Sequence, residues 1–541
     1  MIRSLRNIIC VLLGTMLAAG CSSSASAASA SPSATASPVH TIILFTNDAH
    51  GHILNDASEP SWGLARIAKE KEDLIEAGYQ VYLFSAGDDI QGTPLVSMDQ
   101  GSSVIRFMGD AGYDLMEIGN HELDYGMDTL LALQEAASFP MLAANVQRTV
   151  GGDSVFAEHQ EYTAADGMKI GVFGLATPET ATKANPIYTA GLTFLAGDQL
   201  YQKAQEQIDL LKKDGCSLII CLGHLGVDDS SSPNRSIDVI QNTSGINVFI
   251  DGHSHTEVNE TVGSTLLVQT GSNSHNLGRL EIHADGTYSA ALMPAVDVNN
   301  AVNEEINDYN DEVEKQLSVK FAETAVSLDG ERNDVRTMET NLGDLTCDAL
   351  SYEAEKLTGT APDVTITNGG SIRASIPAGD ITLKTVRTVF PFSNTLVTLK
   401  VTGSELLEAL EAATCALPDS IGGFPQVAGV EFSVDTTVPY QQGEQYPDST
   451  YFKPAAPGSR VTIASVGGRP FDPDALYTLA ANDFIGAGGD TYYALKYAYE
   501  NSGYNTGIGL EDCLSDYISS ELGGIVGDSY ASAQGRIAIR S

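Results

Sequence analysis

The sequence predicts a layered α/β domain followed by a second domain that mixes helices and strands. Its 541 residues, 43% of them apolar, exceed what one compact core usually holds. Up to about residue 294, short runs rich in β-branched and aromatic residues alternate with stretches of helical apolar spacing. A charged helical segment, 301–320, then separates this part from the rest of the chain. These observations predict two domains, 39–300 and 321–541, joined by a connecting helix.

The predicted elements follow in order. In the first domain the strands are 41–45, 81–85, 115–118, 141–144, 170–173, 218–222 and 248–250, and the clearest helices are 64–77 and 199–213. In the second domain the helices are 341–356 and 403–413, and the strands are 364–367, 396–401, 427–434 and 476–480. In layered α/β folds, reactive groups lie on the loops that leave the carboxyl ends of the strands.

The first twenty residues have the pattern of a signal peptide, because Arg3 and Arg6 precede an apolar run, 8–19, that is too short to span a bilayer. The small residues before Cys21 resemble a bacterial lipobox, although cleavage at a later Ala-Ser-Ala site stays open. Residues 21–38, rich in Ser and Ala, suit a flexible tether. We expect an extracytoplasmic protein, either a cell-envelope lipoprotein that contacts the membrane through Cys21 or a secreted one. Its oligomeric state is not predicted.

The formal charge of −41 excludes a basic protein that binds a nucleic acid polymer or an anionic membrane surface. An anionic substrate would therefore need a local reversal of charge. Beyond Cys21 the cysteines are five, an odd number without metal-type spacing, so neither a disulfide framework nor a thiolate zinc site is expected.

Carboxylate, carboxamide and imidazole groups follow five of the predicted strands. The segments are TNDAHGH from Thr46, GDD from Gly87, GNHELDYG from Gly119, GHLG from Gly223 and DGHSHT from Asp251. Each motif alone is more often a turn or a surface pair, but five in order indicate one site. Mixed nitrogen and oxygen ligands suit Zn²⁺, Mn²⁺, Co²⁺ or Fe, and Asp88 is the natural residue to bridge two ions.

Together these motifs resemble the calcineurin-like dinuclear metallophosphoesterase family, and specifically its 5′-nucleotidase branch. The resemblance implies a four-layer α/β/β/α sandwich, a second α+β substrate-binding domain and two divalent metal ions. One ion would be held by Asp48, His50, Asp88 and His255, and the other by Asp88, Asn120, His224 and His253.

The resemblance gives His121 and Asp124 a different role. They would form a catalytic dyad, in which the carboxylate orients an imidazolium that stabilises the transition state or the leaving oxygen. Asp124 could also be a helix N-terminal acid that interacts with the helix dipole.

The second domain carries motifs that suit a nucleotide. By the same resemblance, Phe392 and Phe484 would sandwich the base, Asp490 would accept hydrogen bonds from the ribose hydroxyls, and Asn368 and Arg373 would contact the nucleotide. Some relatives carry a second substrate-binding arginine where this chain has Lys356, which would supply charge without a bidentate fork.

These expectations combine in a metal-dependent phosphohydrolase that acts on nucleoside 5′-monophosphates. The alternatives within enzymes are a 2′,3′-cyclic phosphodiesterase/3′-nucleotidase and a UDP-sugar or NAD pyrophosphatase, since one metal pair serves monoesters and diesters. A non-catalytic nucleotide-binding lipoprotein is the alternative of a different class.

Overall fold

The computed structural model describes residues 39–54, 61–295, 304–447 and 449–540. The predicted signal peptide, Cys21 and the tether lie outside these residues. No helix within the described ranges is long and apolar enough to cross a membrane. The five described cysteines are free.

The described part of the N-terminal region, residues 39–54 and 61–295, contains fourteen strands and seven α-helices. Strands β1 to β14 are Val39–Thr46, Gln80–Ser85, Leu115–Glu117, Met141–Leu142, Val146–Arg148, His159–Thr163, Lys169–Ala176, Leu192–Phe194, Leu218–His224, Val248–Ile250, Glu257–Val262, Thr265–Thr270, Asn276–His283 and Tyr288–Pro294. Helices α1 to α7 are Gly63–Glu76, Pro94–Ser97, Ser102–Asp110, Met127–Ala136, Thr180–Lys183, Asp198–Lys213 and Ser236–Asn242.

Two six-stranded sheets form the centre of this region. The first has the order β14-β13-β1-β2-β3-β4, and the second has the order β11-β12-β10-β9-β7-β6. Strands β1 to β4 are mutually parallel, as are β7, β9, β10 and β12. Their near-continuous apolar sequences are typical of parallel strands that are covered on both faces.

The two sheets pack face to face through a buried apolar cluster that includes Phe45, Phe84, Ile220 and Ile250. The outer face of the first sheet is covered by α1, α3 and α4, and that of the second by α6 and α7. The predicted four-layer α/β/β/α sandwich is therefore confirmed. The strands predicted from residues 41 to 250 are divided between two sheets, because β1 to β4 form the first and β7, β9 and β10 lie in the second.

Helix α8, Glu304–Leu317, lies within the predicted connector. The C-terminal region, residues 320–540, follows with strands β15 to β28, which are Lys320–Thr324, Val364–Asn368, Gly379–Thr382, Thr395–Thr402, Pro425–Ala428, Val430–Asp435, Gln442–Gln445, Phe452–Pro454, Val461–Val466, Arg469–Pro470, Leu476–Asn482, Tyr504–Gly509, Ile525–Val526 and Ile537–Arg540. Helices α9 to α14 are Asn341–Thr358, Leu383–Val389, Gly403–Ala413, Asp483–Gly486, Tyr493–Ser502 and Leu510–Asp516.

The main sheet of this region has the order β19-β16-β25-β18-β26. Helices α9, α10 and α14 contribute to the apolar cluster on one face, and α11 and α13 contribute to the cluster on the other. Helix α9 begins where the Thr340 side chain accepts a hydrogen bond from the Gly343 amide, and it ends at Gly359 in the left-handed conformation. The predicted α+β character of this region is confirmed.

One predicted strand of this region is wrong. Residues 427–434 do not form a single strand, because Gly429 has a φ of +73° and separates β19 from β20, which lie in different sheets. A Cβ atom at this glycine would lie 2.5 Å from the Asp363 carbonyl oxygen, so the close approach also requires glycine.

Candidate active site

The five motif loops leave β1, β2, β3, β9 and β10 and meet at one end of the sandwich. Backbone hydrogen bonds join the first two loops, because the amides of Asp48 and His50 donate to the carbonyls of Gly87 and Asp88 at 2.8 and 2.9 Å. The second sheet is tied to the same place, since the His253 amide donates to Asp48 Oδ2 at 2.9 Å. Parallel strands thus bring residues far apart in sequence to one edge.

The backbone at this edge is strained. Asp48, His50, Asp88, His253 and His255 all have φ between +46° and +79°, a left-handed conformation that non-glycine residues rarely adopt. Such strain costs about 1–3 kcal/mol per residue and collects at functional sites. Its concentration in five of the seven predicted metal ligands indicates that the fold places these side chains for a purpose other than stability.

The first group of candidate ligands consists of Asp48, His50 and His255, whose ligand atoms lie within 4.8 Å of one another. The Nε2 atoms of the two imidazoles are 2.9 Å apart, and Asp48 Oδ1 lies 3.3 Å from His255 Nε2. Three potential donor atoms therefore converge on one point.

The second group consists of Asp88, His224 and His253. Asp88 Oδ2 lies 3.1 Å from His224 Nε2, and Asn120 Oδ1 lies 2.9 Å from His253 Nδ1. The structure thus brings together the seven residues that the sequence predicts as metal ligands.

The donor set fits a divalent cation. His224 Nε2 is buried and makes no hydrogen bond within the described residues, although it lies close to Asp88, and its Nδ1 contacts the Ala86 carbonyl at 2.6 Å. A histidine that donates one ring N–H to a carbonyl and leaves the other nitrogen unpartnered beside carboxylates has the arrangement of a metal ligand. Nitrogen and oxygen donors without thiolate suit Zn²⁺, Mn²⁺, Co²⁺ or Fe.

His121 lies beside these groups and is held by Asp124, whose Oδ2 is 2.6 Å from His121 Nδ1. Burial disfavours the imidazolium, but the negative charges of Asp124 and Asp88 raise the pKa of His121 overall to about 9. Its ligand atom also groups with those of His50 and Asp88, so position alone does not distinguish an acid from a ligand. The contact with Asp124 favours the acid.

Glu122 organises the loops behind the candidate ligands. Its Oε2 accepts hydrogen bonds from the amides of Gly119 and Asp88, at 2.7 and 2.9 Å, and its Oε1 accepts one from the Asp89 amide at 2.8 Å. Glu122 lies within the GNHELDYG motif, but the motif alone assigns it no role. The position of Glu122 three residues after Gly119, at the start of a loop, is the sequence feature that could have indicated this role.

Gly119→Ala is expected to weaken metal binding by about 10- to 100-fold, the usual range when support of a ligand is lost. A Cβ atom there would lie 2.2 Å from Asp88 Oδ1 and 2.8 Å from Glu122 Oε2, so Asp88 must move. Equilibrium dialysis against Mn²⁺ measures the effect. Gly527→Ala is the matched control, because a Cβ atom there meets no described atom within 4 Å. Equal Mn²⁺ affinity in the two variants would contradict the expectation.

A cavity of about 370 Å³ lies over the candidate ligands and is lined by both regions. From the N-terminal region it receives residues of the metal groups and the His121–Asp124 pair. From the C-terminal region it receives every predicted substrate residue except Lys356, namely Asn368, Arg373, Phe392, Phe484 and Asp490.

Contacts hold these C-terminal residues in place. Asn368 Nδ2 donates to Asp490 Oδ2 at 3.2 Å, and the guanidinium of Arg373 lies 5.4 Å from the ring centre of Phe392. The His121 ring also packs on Phe392, with ring centroids 5.7 Å apart. The pair His121 and Phe392 therefore links the chemistry of one region to the aromatic pocket of the other.

The structure does not place Lys356 with the other predicted substrate residues. Its Nζ pairs with Asp516 at 2.7 Å and with Glu353 at 3.1 Å, its side chain is half exposed, and it does not line the cavity. The reason is its place near the carboxyl end of α9, whereas the cavity receives cations from the segment that precedes this helix, Arg332 and Arg336.

The guanidinium groups of the cavity are close enough to repel one another. Burial, followed by the charges of Arg373 and Arg332, lowers the pKa of Arg336 to about 9, and burial with the charge of Arg332 lowers that of Arg373 to about 10. Arg336 Nε is buried without a hydrogen-bond partner in the described residues. An anion in the cavity would relieve the repulsion and supply that partner.

Sequence reasoning also missed Glu179, Lys183 and Tyr451, which line the same cavity. Glu179 Oε2 lies 2.7 Å from His253 Nε2, and Lys183 Nζ lies 3.3 Å from Asp490 Oδ1. The one signal for Glu179 and Lys183 was position, because the segment 177–185 follows the strand β7 as the other motifs follow theirs.

Comparisons with known proteins agree with this arrangement. The family described as "5'-nucleotidase, C-terminal domain" matches residues 319–497. The chain is 31% identical over 498 residues to the trifunctional nucleotide phosphoesterase protein YfkN of Bacillus subtilis. This alignment covers 83% of this chain and 32% of that protein. The chain thus spans about a third of that relative's length. It is 28% identical over 532 residues to a 5′-nucleotidase of Vibrio cholerae, covering 88% of this chain and 90% of that protein.

A solved structure, the 5′-nucleotidase precursor from Thermus thermophilus, superposes with a TM-score of 0.73 at 28% identity, covering 93% of this chain and 99% of that one. The agreement therefore extends over the N-terminal sandwich with its motif loops and over the C-terminal region. On these grounds the chain carries a 5′-nucleotidase C-terminal domain, and over most of its length it is similar to 5′-nucleotidases in sequence and in fold.

Proposed function

We propose that the protein hydrolyses nucleoside 5′-monophosphates to nucleoside and phosphate, with two divalent cations and an in-line displacement. The observation that carries the proposal is the shared cavity, because the same space is bordered by candidate metal ligands and by aromatic and polar groups suited to a nucleoside. A phosphate bound near Asp88 and a base bound near Phe484 would belong to one molecule.

In this proposal the arginines and the aromatic rings fix the substrate. Arg332, Arg336 and Arg373 would bind phosphate oxygens, which suits their fork of donors. Phe392 and Phe484 would stack on the base, and stacking of about 1–3 kcal/mol with any base predicts broad base tolerance. Asp490, with Oδ2 held by Asn368, would accept from the ribose hydroxyls.

Two cations held by the predicted ligands would stabilise the charge that develops on the phosphate and favour a water nucleophile at neutral pH. Asp124 holds Nδ1 of His121, which fixes the ring and directs its other edge to the cavity. His121 would then donate a proton to the leaving ribose oxygen or stabilise its negative charge. Buried Glu122, which accepts a hydrogen bond from the Asp88 amide, would keep the Asp88 loop in place.

The test is phosphate release from AMP by the full chain with Mn²⁺ or Zn²⁺, before and after EDTA. We expect metal-dependent release that EDTA abolishes and that the double variant Asp88→Ala/His253→Ala lacks. Undiminished turnover in that double variant would contradict the metal assignment. Binding of AMP without any release, with metal present, would instead favour a nucleotide-binding protein.

Other nucleotide substrates also need to be tested, because the relative from Bacillus subtilis is named a trifunctional nucleotide phosphoesterase. A panel of AMP, 2′,3′-cyclic AMP, UDP-glucose and NAD separates a 5′-nucleotidase from a cyclic phosphodiesterase and from a pyrophosphatase. We expect the highest kcat/KM with AMP.

We also propose an extracytoplasmic location from the signal-like residues 1–20, with anchoring through Cys21 as the lipoprotein form.

A further inference from the structure

The segment 177–185, which we call the coupling loop, contacts both halves of the cavity. It follows β7 and contains the single turn of α5, in which the amides of Thr182 and Lys183 both donate to the Glu179 carbonyl, at 2.8 and 2.7 Å. This turn holds Glu179 and Lys183 at a fixed separation. A shift at one end of the loop is therefore transmitted to the other.

One end of the coupling loop supports a candidate metal ligand. Glu179 is 4% exposed, and its Oε2 lies 2.7 Å from His253 Nε2 and accepts from the Ser231 hydroxyl at 3.0 Å. His253 Nδ1 points to Asn120, on the side of the candidate ligands. A carboxylate that accepts the distal N–H of a ligating histidine fixes its tautomer and orientation. Glu179 is thus a positioning residue for His253.

The other end is bound to the nucleoside side of the cavity by three contacts. The Asp490 amide donates to the Thr182 carbonyl at 3.0 Å, Lys183 Nζ lies 3.3 Å from Asp490 Oδ1, and Asn185 Nδ2 donates to Asp483 Oδ2 at 2.9 Å. Asp483 and Asp490 flank the cavity residue Phe484 in sequence, on α12 and just beyond it. The loop therefore contacts the segment that would hold the ribose and the base.

A hairpin of the C-terminal region, β21 and β22, completes this contact. Tyr451, beside β22, receives a hydrogen bond from Lys183 Nζ at 2.8 Å, and the Thr450 hydroxyl reaches Glu179 Oε1 at 3.4 Å. Burial disfavours a charged Lys183, but Tyr451, Asp490 and Glu179 together raise the pKa of Lys183. The ammonium therefore stays charged and joins the two regions through ionic contacts.

We propose that the coupling loop makes binding of a nucleoside and binding of a divalent cation cooperative. Lys183 and Asn185 contact the side of the cavity that would hold the nucleoside, and Glu179 sets the orientation of His253. The proposal rests on the proposed function, since it needs a cation at His253 and a nucleoside at Asp490. A nucleoside lacks the phosphate that would contact the cation directly. Cooperativity between the two must therefore pass through the protein, and it must be reciprocal.

The experiment measures Mn²⁺ binding to the metal-stripped full chain by chelator competition, without and with saturating adenosine, and in parallel with uridine. We expect a nucleoside to tighten Mn²⁺ binding by about fivefold or more, and Mn²⁺ to tighten nucleoside binding by the same factor. Lys183→Met should reduce that factor to near one while both ligands still bind, and Lys183→Arg should retain part of it. Lys203→Met, which breaks ion pairs with Glu158 and Glu206 away from the cavity, is the matched control and should keep the wild-type factor.

Glu179→Gln tests the other end, because it keeps the side-chain shape and removes the charge that faces His253. It should weaken Mn²⁺ binding by about tenfold and leave the affinity of metal-free protein for adenosine unchanged. If a nucleoside does not change Mn²⁺ affinity in the wild type, or changes it equally in Lys183→Met and wild type, the cooperative role of the coupling loop is wrong, even where AMP is hydrolysed. Cooperative binding without phosphate release from AMP contradicts the proposed function and leaves the coupling loop supported, whereas failure of Mn²⁺ or of both nucleosides to bind overturns both.

Discussion

Asp88→Asn is expected to lower kcat/KM for AMP by about three orders of magnitude, because metal-bound charge stabilisation contributes several kcal/mol to such reactions. Asp88 belongs to two of the three candidate ligand groups, and its Oδ1 also accepts the His121 amide at 2.9 Å. The amide of asparagine matches its shape but supplies no negative charge to two cations. Phosphate release, together with the metal content of the purified variant, measures the effect.

Asp89→Asn is the matched control for this prediction. Asp89 adjoins Asp88 in sequence and is equally buried, but its carboxylate accepts from the Ser85 hydroxyl and does not line the cavity. We expect kcat/KM within a few fold of wild type. Wild-type turnover and metal content in Asp88→Asn would contradict the assignment of Asp88 as a metal ligand. An equal loss of kcat/KM in both variants would show that removal of a buried charge, rather than of a ligand, lowers activity.

His121→Ala is expected to lower kcat for AMP by about 10²- to 10⁴-fold, the range for loss of a general acid, with KM and metal affinity nearly unchanged. The reason is that His121 Nδ1 bonds to Asp124 and the ring borders the cavity, where a leaving oxygen would lie. Asp124→Ala should have a smaller effect alone and little further effect in the double variant, because the two side chains act as a unit.

Metal affinity distinguishes this prediction from its alternative. His121 also groups with His50 and Asp88, so a His121 that serves as a ligand would lose metal on substitution. Steady-state kinetics at saturating Mn²⁺, with dialysis to measure bound metal, separates the two. A variant whose activity is restored by more Mn²⁺ would make His121 a ligand and would contradict its role as an acid.

The sequence was informative about the fold wherever a single strand or helix carried a periodic apolar pattern. Strand β10 and helix α11 begin and end at the residues that the pattern predicts. The sequence could not show that β3 and β9 belong to different sheets, because both are apolar runs buried on two faces and nothing local records the neighbour. It also missed the division at Gly429, since a left-handed glycine inside an apolar run leaves the pattern of alternation intact.

The site followed the same physical logic. Candidate ligands such as Asp48 and His253 could be predicted because each lies directly after a strand in a short motif of rare residue types. Arg336 and Lys183 could not, because lone cations in a loop and in a single helical turn have no distinguishing local pattern. Cations from both regions border the cavity together with carboxylates such as Asp88, so a chain of formal charge −41 would need bound metal ions as well as these cations to accept an anion. We therefore infer that the local field, rather than the net charge, governs substrate binding.

In the proposed function, two cations and a nucleotide occupy one cavity that is lined by both regions. Anomalous diffraction at the manganese edge, from crystals soaked with Mn²⁺ and a non-hydrolysable AMP analogue, tests it most directly. We expect two anomalous peaks, one within Asp48, His50 and His255 and one within Asp88, His224 and His253, with the base between Phe392 and Phe484. A single peak, a peak ligated by His121, or an analogue bound away from these rings would contradict it.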